Sequence, residues 1–188
     1  MSATNRGAVR RESDFYATPL ESVYSFLDAY DGIKPSDKIL EPSAGNGAIL
    51  HALASRGYKN RVTAVEIRPE EIGLYFFTND VRYGDFLDMD FEERFDVIIG
   101  NPPYSLAQEF IDKALSILNP GGRLIFLLRT NFLESEKRFK WWQDKTPRGL
   151  YTLHKRPSFT GKGTDATSYS WFVWELSDRQ TDRQTDRQ

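Results

Sequence analysis

The chain has 188 residues, no cysteine, 39% hydrophobic and 28% charged side chains, and a net charge of −2. A chain of this length buries about 70% of the surface its unfolded form exposes, enough for one core without staples, and the lack of thiols excludes disulfide scaffolds, thiol nucleophiles and cysteine-held zinc. The longest apolar run, Leu124 to Leu128, falls far short of the roughly 18 to 20 residues of a bilayer helix, and Met1 to Glu12 is polar and basic rather than signal-like. A soluble protein of the cytoplasm with no membrane contact is expected.

The charge is unevenly spread. Residues 14–128 carry ten basic and eighteen acidic side chains, whereas residues 129–163 carry nine basic and three acidic. An acidic body followed by a basic, aromatic-rich stretch suggests a cationic small molecule bound early and a polyanion bound late.

Lys38 to Glu41 predicts a short strand, followed by the turn Pro42-Ser43-Ala44-Gly45-Asn46-Gly47 and then by Ile49, Leu50, Leu53 and Ala54 at helical spacing. Val62 to Val65, Val81 to Tyr83 and Phe95 to Ile99 predict three further strands, the last stopped by Asn101-Pro102-Pro103-Tyr104. Phe110, Ile111, Ala114, Leu115 and Leu118 mark a helix, closed by an Asn119-Pro120-Gly121-Gly122 turn before the strand Arg123 to Leu128. Leu150 to His154 and Ser170 to Glu175 predict a closing hairpin around the loop Arg156 to Tyr169. The fold class is α/β: a single Rossmann-like domain over residues 14–176, with a mostly parallel seven-stranded sheet, a C-terminal antiparallel hairpin and helices on both faces. Residues 1–13 are expected to be a flexible basic N-terminus, and residues 177–188, a near-perfect Thr-Asp-Arg-Gln repeat, a disordered tail.

Two motifs carry chemistry. The first is the glycine turn Gly45-Asn46-Gly47 between strand and helix, with Glu66 ending the next strand nineteen residues beyond Gly47. Glycines there let the backbone approach a nucleotide, and the acid takes ribose hydroxyls. The third glycine of the dinucleotide fingerprint is absent, and Glu41 at the strand end would repel a pyrophosphate but suit a cation. S-adenosylmethionine has this chemistry: a sulfonium, an amino group and a ribose, without phosphate. The second motif, Asn101-Pro102-Pro103-Tyr104, sits at the carboxyl end of a strand, where ligands bind in open α/β sheets. Its prolines remove two N–H donors, so the site presents acceptors. The Asn101 side-chain oxygen and the Pro102 carbonyl can hold the two hydrogens of a planar amine, and Tyr104 offers a stacking face.

Glu41-Pro42-Ser43-Ala44-Gly45-Asn46-Gly47 followed by Asn101-Pro102-Pro103-Tyr104 resembles the S-adenosylmethionine-dependent N6-adenine DNA methyltransferases, especially small, phage-type members, from about Asp14 to Glu175. The resemblance implies that S-adenosylmethionine is the cofactor and that its methyl passes directly to adenine N6 after base flipping, in a bacterial or phage-infected cell. Tyr16, Thr18 and Pro19 match a segment that closes over the methionine part of the cofactor. Glu66, with Ile67 after it, matches the ribose-binding acid, and Asp85 and Phe86 match the pair that holds the adenine amino group and stacks on its ring. Arg156-Pro157-Ser158-Phe159 and Tyr169 to Trp174 resemble the lining of a target-base pocket. Lys137, Arg138 and Lys140, with Trp141, Trp142, Arg156, Phe159 and Lys162, combine phosphate-neutralising charge with aromatic faces.

Sequence-specific members of that family generally carry a separate, sizeable target-recognition region, and within these residues only Arg129 to Gly163 is available for one. A short or relaxed target preference follows, or recognition by a partner subunit or a homo-oligomer. Adenine in RNA and the side-chain amide of a protein glutamine pose the same binding problem and stand as alternative substrates. His51 and His154 lack a metal-ligand cluster and read as structural or surface residues, so no metal is expected.

Overall fold

The computed structural model describes residues 17–58, 61–155 and 167–177. Its centre is a seven-stranded sheet of β1 (Ile39–Glu41), β2 (Val62–Glu66), β3 (Asp80–Tyr83), β4 (Phe95–Gly100), β5 (Leu118–Arg129), β6 (Gly149–Thr152) and β7 (Tyr169–Glu175). The order across the sheet is β3-β2-β1-β4-β5-β7-β6. The strands β3 to β5 in that order are parallel, and β7 runs antiparallel to both β5 and β6.

Hydrophobic periodicity explains the layers. Side chains alternate across the pleat, so Ile39, Val97, Ile99, Ile125 and Trp171 face one side while Leu40, Ile98, Leu124, Phe126 and Phe172 face the other. Helices α1 (Leu20–Ala29) and α2 (Ala48–Ser55) cover the first side through Val23, Phe26, Ile49 and Leu53. Helix α3 (Ala107–Ser116) covers the second through Phe110, Ile111 and Ala114, and the short α4 (Phe139–Asp144) adds Trp141 and Trp142. Phe26, Trp171 and Phe172 are at most 2% exposed, so the hairpin strand β7 belongs to both cores. Among the described residues no helix is long and apolar enough to cross a membrane.

Three features depart from the sequence reading. Helix α1 was not among its elements, although Leu20, Val23 and Leu27 follow a helical period after Pro19. The turn at Asn119 to Gly122 is absorbed into β5: the pairing steps from Phe95↔Leu118 to Val97↔Arg123, and the bulging residues are held by Gly121 N–H donating to Leu176 O (2.8 Å) and Leu176 N–H donating to Gly122 O (2.9 Å). The connection from β2 to β3 holds a single 3-10 turn, Ile72–Phe76, rather than a crossover α-helix, and leaves Ile72 and Phe76 exposed.

The chain moves outward from β1 through β2 to β3, then returns to place β4 on the other side of β1. The strand order reverses between β1 and β4, and ligands of open α/β sheets bind outside the carboxyl ends at such a reversal. Glu41 ends β1 and Gly100 ends β4, so the two sequence motifs meet there.

Candidate active site

Glu41 is 1% exposed, and among the described residues neither of its carboxyl oxygens makes a hydrogen bond. The reason lies in the neighbouring strand. With β1 and β4 paired as Leu40↔Ile98, the carboxyl group reaches the level of Gly100, where an added Cβ would lie 2.8 Å from Glu41 Oε1. A side chain at position 100 would therefore displace the Glu41 carboxyl and press on Pro42. Burial pushes the Glu41 carboxyl well above its ordinary range, and the neighbouring Glu66 carboxylate pushes it further; the Ser43 amide opposes this slightly without reaching hydrogen-bond geometry.

Glu66 is also buried but is satisfied. It accepts from Gly45 N–H at 2.5 Å, from the Arg68 backbone N–H at 3.0 Å and from Arg68 Nε at 3.2 Å. A carboxylate offers about four acceptor positions, so the loop amide and the Arg68 donors leave room at Glu66 for one further donor. The same bond pins the loop after β1 to the end of β2. Gly47 holds φ +88°, a left-handed conformation suited to glycine, and its bare face lies against Phe77 and Leu74. A cavity of about 250 Å³ opens beside this loop, lined by Thr18, Asn46, Gly47, Ala48, His51 and Phe77 among others. That is slightly below the roughly 300 to 1,000 Å³ of small-molecule sites. His51 stacks on Phe77 with ring centroids 5.2 Å apart. Phe77 was not singled out in the sequence, because the fold alone brings it beside His51 and the glycine turn.

Asn101 is held from two directions. Its Nδ2 donates to Thr18 Oγ1 at 3.1 Å, and its backbone oxygen accepts from Ser43 Oγ at 3.1 Å. The proline carbonyls are less open than the sequence implied, since Pro103 O accepts from Leu106 N–H at 3.0 Å. Among the described residues the Pro102 carbonyl accepts no hydrogen bond. Pro102 itself is buried, as is Pro42. The Tyr104 ring lies 5.8 Å from the Tyr169 ring, with the Arg129 guanidinium 5.4 Å from its centroid.

Beyond β3, Asp85 Oδ1 accepts from Leu87 N–H at 3.0 Å and so caps a short turn. Phe86 is 2% exposed and packs against Phe91 and Phe110. Its ring is committed to the core, unlike the free stacking face the sequence suggested; Ile67 and Leu87 nearby in the chain are only part-buried. Lys113 Nζ donates to the carbonyls of Leu87 (3.0 Å) and Met89, fixing this turn from α3.

The basic stretch divides in two. Trp141 Nε1 donates to Asp112 at 2.8 Å, Trp142 stacks on Trp174, and Arg138 donates to Phe132 O at 2.6 Å while covering its ring. These three side chains hold the fold. Lys137 and Lys140 remain exposed, and Phe139 between them is 63% exposed, so it and not the tryptophans is the outward aromatic face. Tyr16, Arg156, Phe159 and Lys162 lie outside the described residues. Among the described residues no group of three or more metal-ligating side chains occurs.

The Methyltransferase small domain family matches residues 26–141, more than half the chain, and the chain belongs to that family. The fold is that of class I S-adenosylmethionine-dependent methyltransferases. One solved relative, an RNA methyltransferase from Salinibacter ruber in complex with S-adenosyl-L-homocysteine, has a TM-score of 0.59 at 18% identity, over 86% of this chain and 94% of that one. Type II methyltransferase M.CvrRI of Paramecium bursaria Chlorella virus XZ-6E is 34% identical over 98 residues, 50% of this chain and 25% of the relative. The tRNA1(Val) (adenine(37)-N6)-methyltransferase of Actinobacillus pleuropneumoniae is 32% identical over 116 residues, 55% of this chain and 49% of the relative. The chain thus spans between a quarter and a half of the length of these two curated relatives. The residues present fit the cofactor of this fold: an unpartnered buried carboxyl for a cation, a second acid for hydroxyls and a side-chain-free loop for close approach.

The buried carboxyl also sets a pH dependence of stability. Unfolded, Glu41 titrates near 4.5; folded, it holds its proton to higher pH, so between those two points the native state binds more protons and stability falls as pH rises. Glu41→Gln keeps the shape and removes the titration. Urea unfolding from pH 5 to 8 is expected to show the variant gaining on the wild type as pH rises, by about 1.4 kcal/mol for each unit traversed before Glu41 ionises; parallel profiles contradict this assignment.

Proposed function

We propose that this protein transfers a methyl group from S-adenosylmethionine to the N6 amino group of adenine in DNA, with short or relaxed sequence preference. The observation that carries the reading is the position of Asn101-Pro102-Pro103-Tyr104 at the end of β4, tied to the cofactor-type loop through the Ser43 bond to Asn101. The bound cofactor supplies an electrophilic methyl on a positively charged sulfur.

The chain's own residues align the amine. The Asn101 side-chain oxygen and the Pro102 carbonyl accept its two hydrogens, which concentrates the nitrogen lone pair toward the methyl and favours the positive charge that develops as the bond forms. The Thr18 bond to Nδ2 orients the Asn101 amide for this. Tyr104 stacks on the base, its own ring steadied by Arg129 and Tyr169. An adenine in a duplex must flip out to reach this position, at a cost of a few kcal/mol. Lys137 and Lys140, with Phe139 between them, contribute phosphate contacts that offset part of that cost.

The similarity to M.CvrRI supports a DNA substrate, and the similarity to the tRNA enzyme supports a second reading, adenine in structured RNA at the same site. Nucleoside mass spectrometry of unmethylated duplex DNA and of unmodified RNA, each incubated with protein and S-adenosylmethionine, separates the two. N6-methyladenine is expected in DNA and lost with Asn101→Ala by about two to three orders of magnitude in turnover, by analogy with removal of one preorganised polar group. Activity of the variant within about threefold of wild type contradicts the role of Asn101, and methylation confined to RNA selects the second reading.

Lys137→Ala with Lys140→Ala is expected to weaken nucleic-acid binding and to lower the slope of log K against log salt by about two. Arg138 is left in place because its bond to Phe132 belongs to the fold. An unchanged slope places the nucleic acid elsewhere on the surface.

A further inference from the structure

Glu41 is used by no step of the proposed transfer, yet the fold holds it buried at the reversal of strand order. It is sealed at the end of β1, unpartnered at both oxygens, with the backbone of Gly100 against it and no side chain there to interpose. A bare carboxylate in such a place is costly, because burial removes its water and nothing returns the lost hydrogen bonds.

Among the described residues its surroundings offer no compensating cation. From β2, Glu66 adds a second negative group; Arg68 is already shared between Glu66 (3.2 Å) and Glu71 (2.9 Å). From β4, the residues alongside are Val97, Ile98, Ile99 and Gly100, all apolar and buried. Pro42 follows on its own strand, and Ser43 has given its hydroxyl to Asn101. Neutrality at Glu41 must come from a proton or from a positively charged ligand.

Resting on the cofactor assigned under the proposed function, we propose that Glu41 works by exchange: it carries a proton in the ligand-free protein and releases that proton to solvent when a positive group of the bound cofactor takes its place beside the carboxylate. The balance is one O–H bond broken, one proton to solvent and one cation in exchange, so the net charge of the buried site is unchanged. The site then selects cationic nucleosides over neutral ones of the same shape. It also couples cofactor affinity to pH: affinity rises with pH, up to about tenfold per unit while Glu41 is protonated, and levels off once it is ionised. Glu66 does not substitute for it, since its oxygens are engaged by Gly45 and Arg68.

The test is isothermal titration of the full chain with S-adenosylmethionine at pH 6 to 8 in buffers of different ionisation enthalpy, without nucleic acid. The wild type is expected to release about one proton per cofactor at the lower pH values, and Glu41→Gln to bind with no proton release and an affinity that does not change with pH. Circular dichroism of the variant checks that it is folded. Binding by the wild type without proton release, or the same release from the variant, overturns the exchange and leaves the methyltransferase reading standing. Failure of the folded wild type to bind S-adenosylmethionine overturns both.

Discussion

Where β1 and β4 run side by side in parallel, the carboxyl group of Glu41 lies against the backbone of Gly100, and the two halves of the site meet at that contact. A Cβ at position 100 would fall within 2.8 Å of the carboxyl oxygen and 3.2 Å of Pro42. The glycine thus allows a polar group to be buried at the reversal of strand order, and the strand that ends there runs straight into Asn101. The cofactor-type loop and the acceptor motif are two ends of one pair of adjacent strands.

The remaining contacts fix these ends to each other. Glu66 braces the loop amide of Gly45, Ser43 holds the backbone of Asn101, and Thr18 holds its side chain. These bonds join segments 21, 58 and 83 residues apart in the chain. Such cross-links set the loop and the amide before any ligand arrives, which lowers the ordering cost of binding and of alignment. Most of the groups that make these bonds are on loops at strand ends, while the strands beneath them are almost wholly buried.

Much of the architecture was legible in the sequence, because buried parallel strands read as apolar runs and turns read as glycine and proline. The glycine turn, the strand ending at Asn101 and the closing hairpin stand where those signals put them. Helix α1, which begins just after the segment read for its resemblance to a ligand-closing motif, went unread although Leu20, Val23 and Leu27 follow a helical period. The turn at Asn119 to Gly122 became strand because the chain after β7 pairs with it, a partner 55 residues away that local signals do not reveal. Local composition also could not tell an inward tryptophan from an outward phenylalanine. Trp142 reaches Trp174 and Trp141 reaches Asp112, whereas Phe139 stays largely exposed. Phe86 illustrates the same limit: its motif position suggested a ligand, and the packing of Phe91 and Phe110 claimed it for the core.

The most direct measurement of the central claim is a crystal structure with an S-adenosylmethionine analogue that carries an amine in place of the sulfonium. The account predicts the analogue across the ends of β1 and β2, its ribose at Glu66 and a positive nitrogen within about 4 to 6 Å of the Glu41 carboxylate, close enough to hold it ionised. An analogue bound elsewhere, or bound there with both positive groups directed away from Glu41, contradicts it.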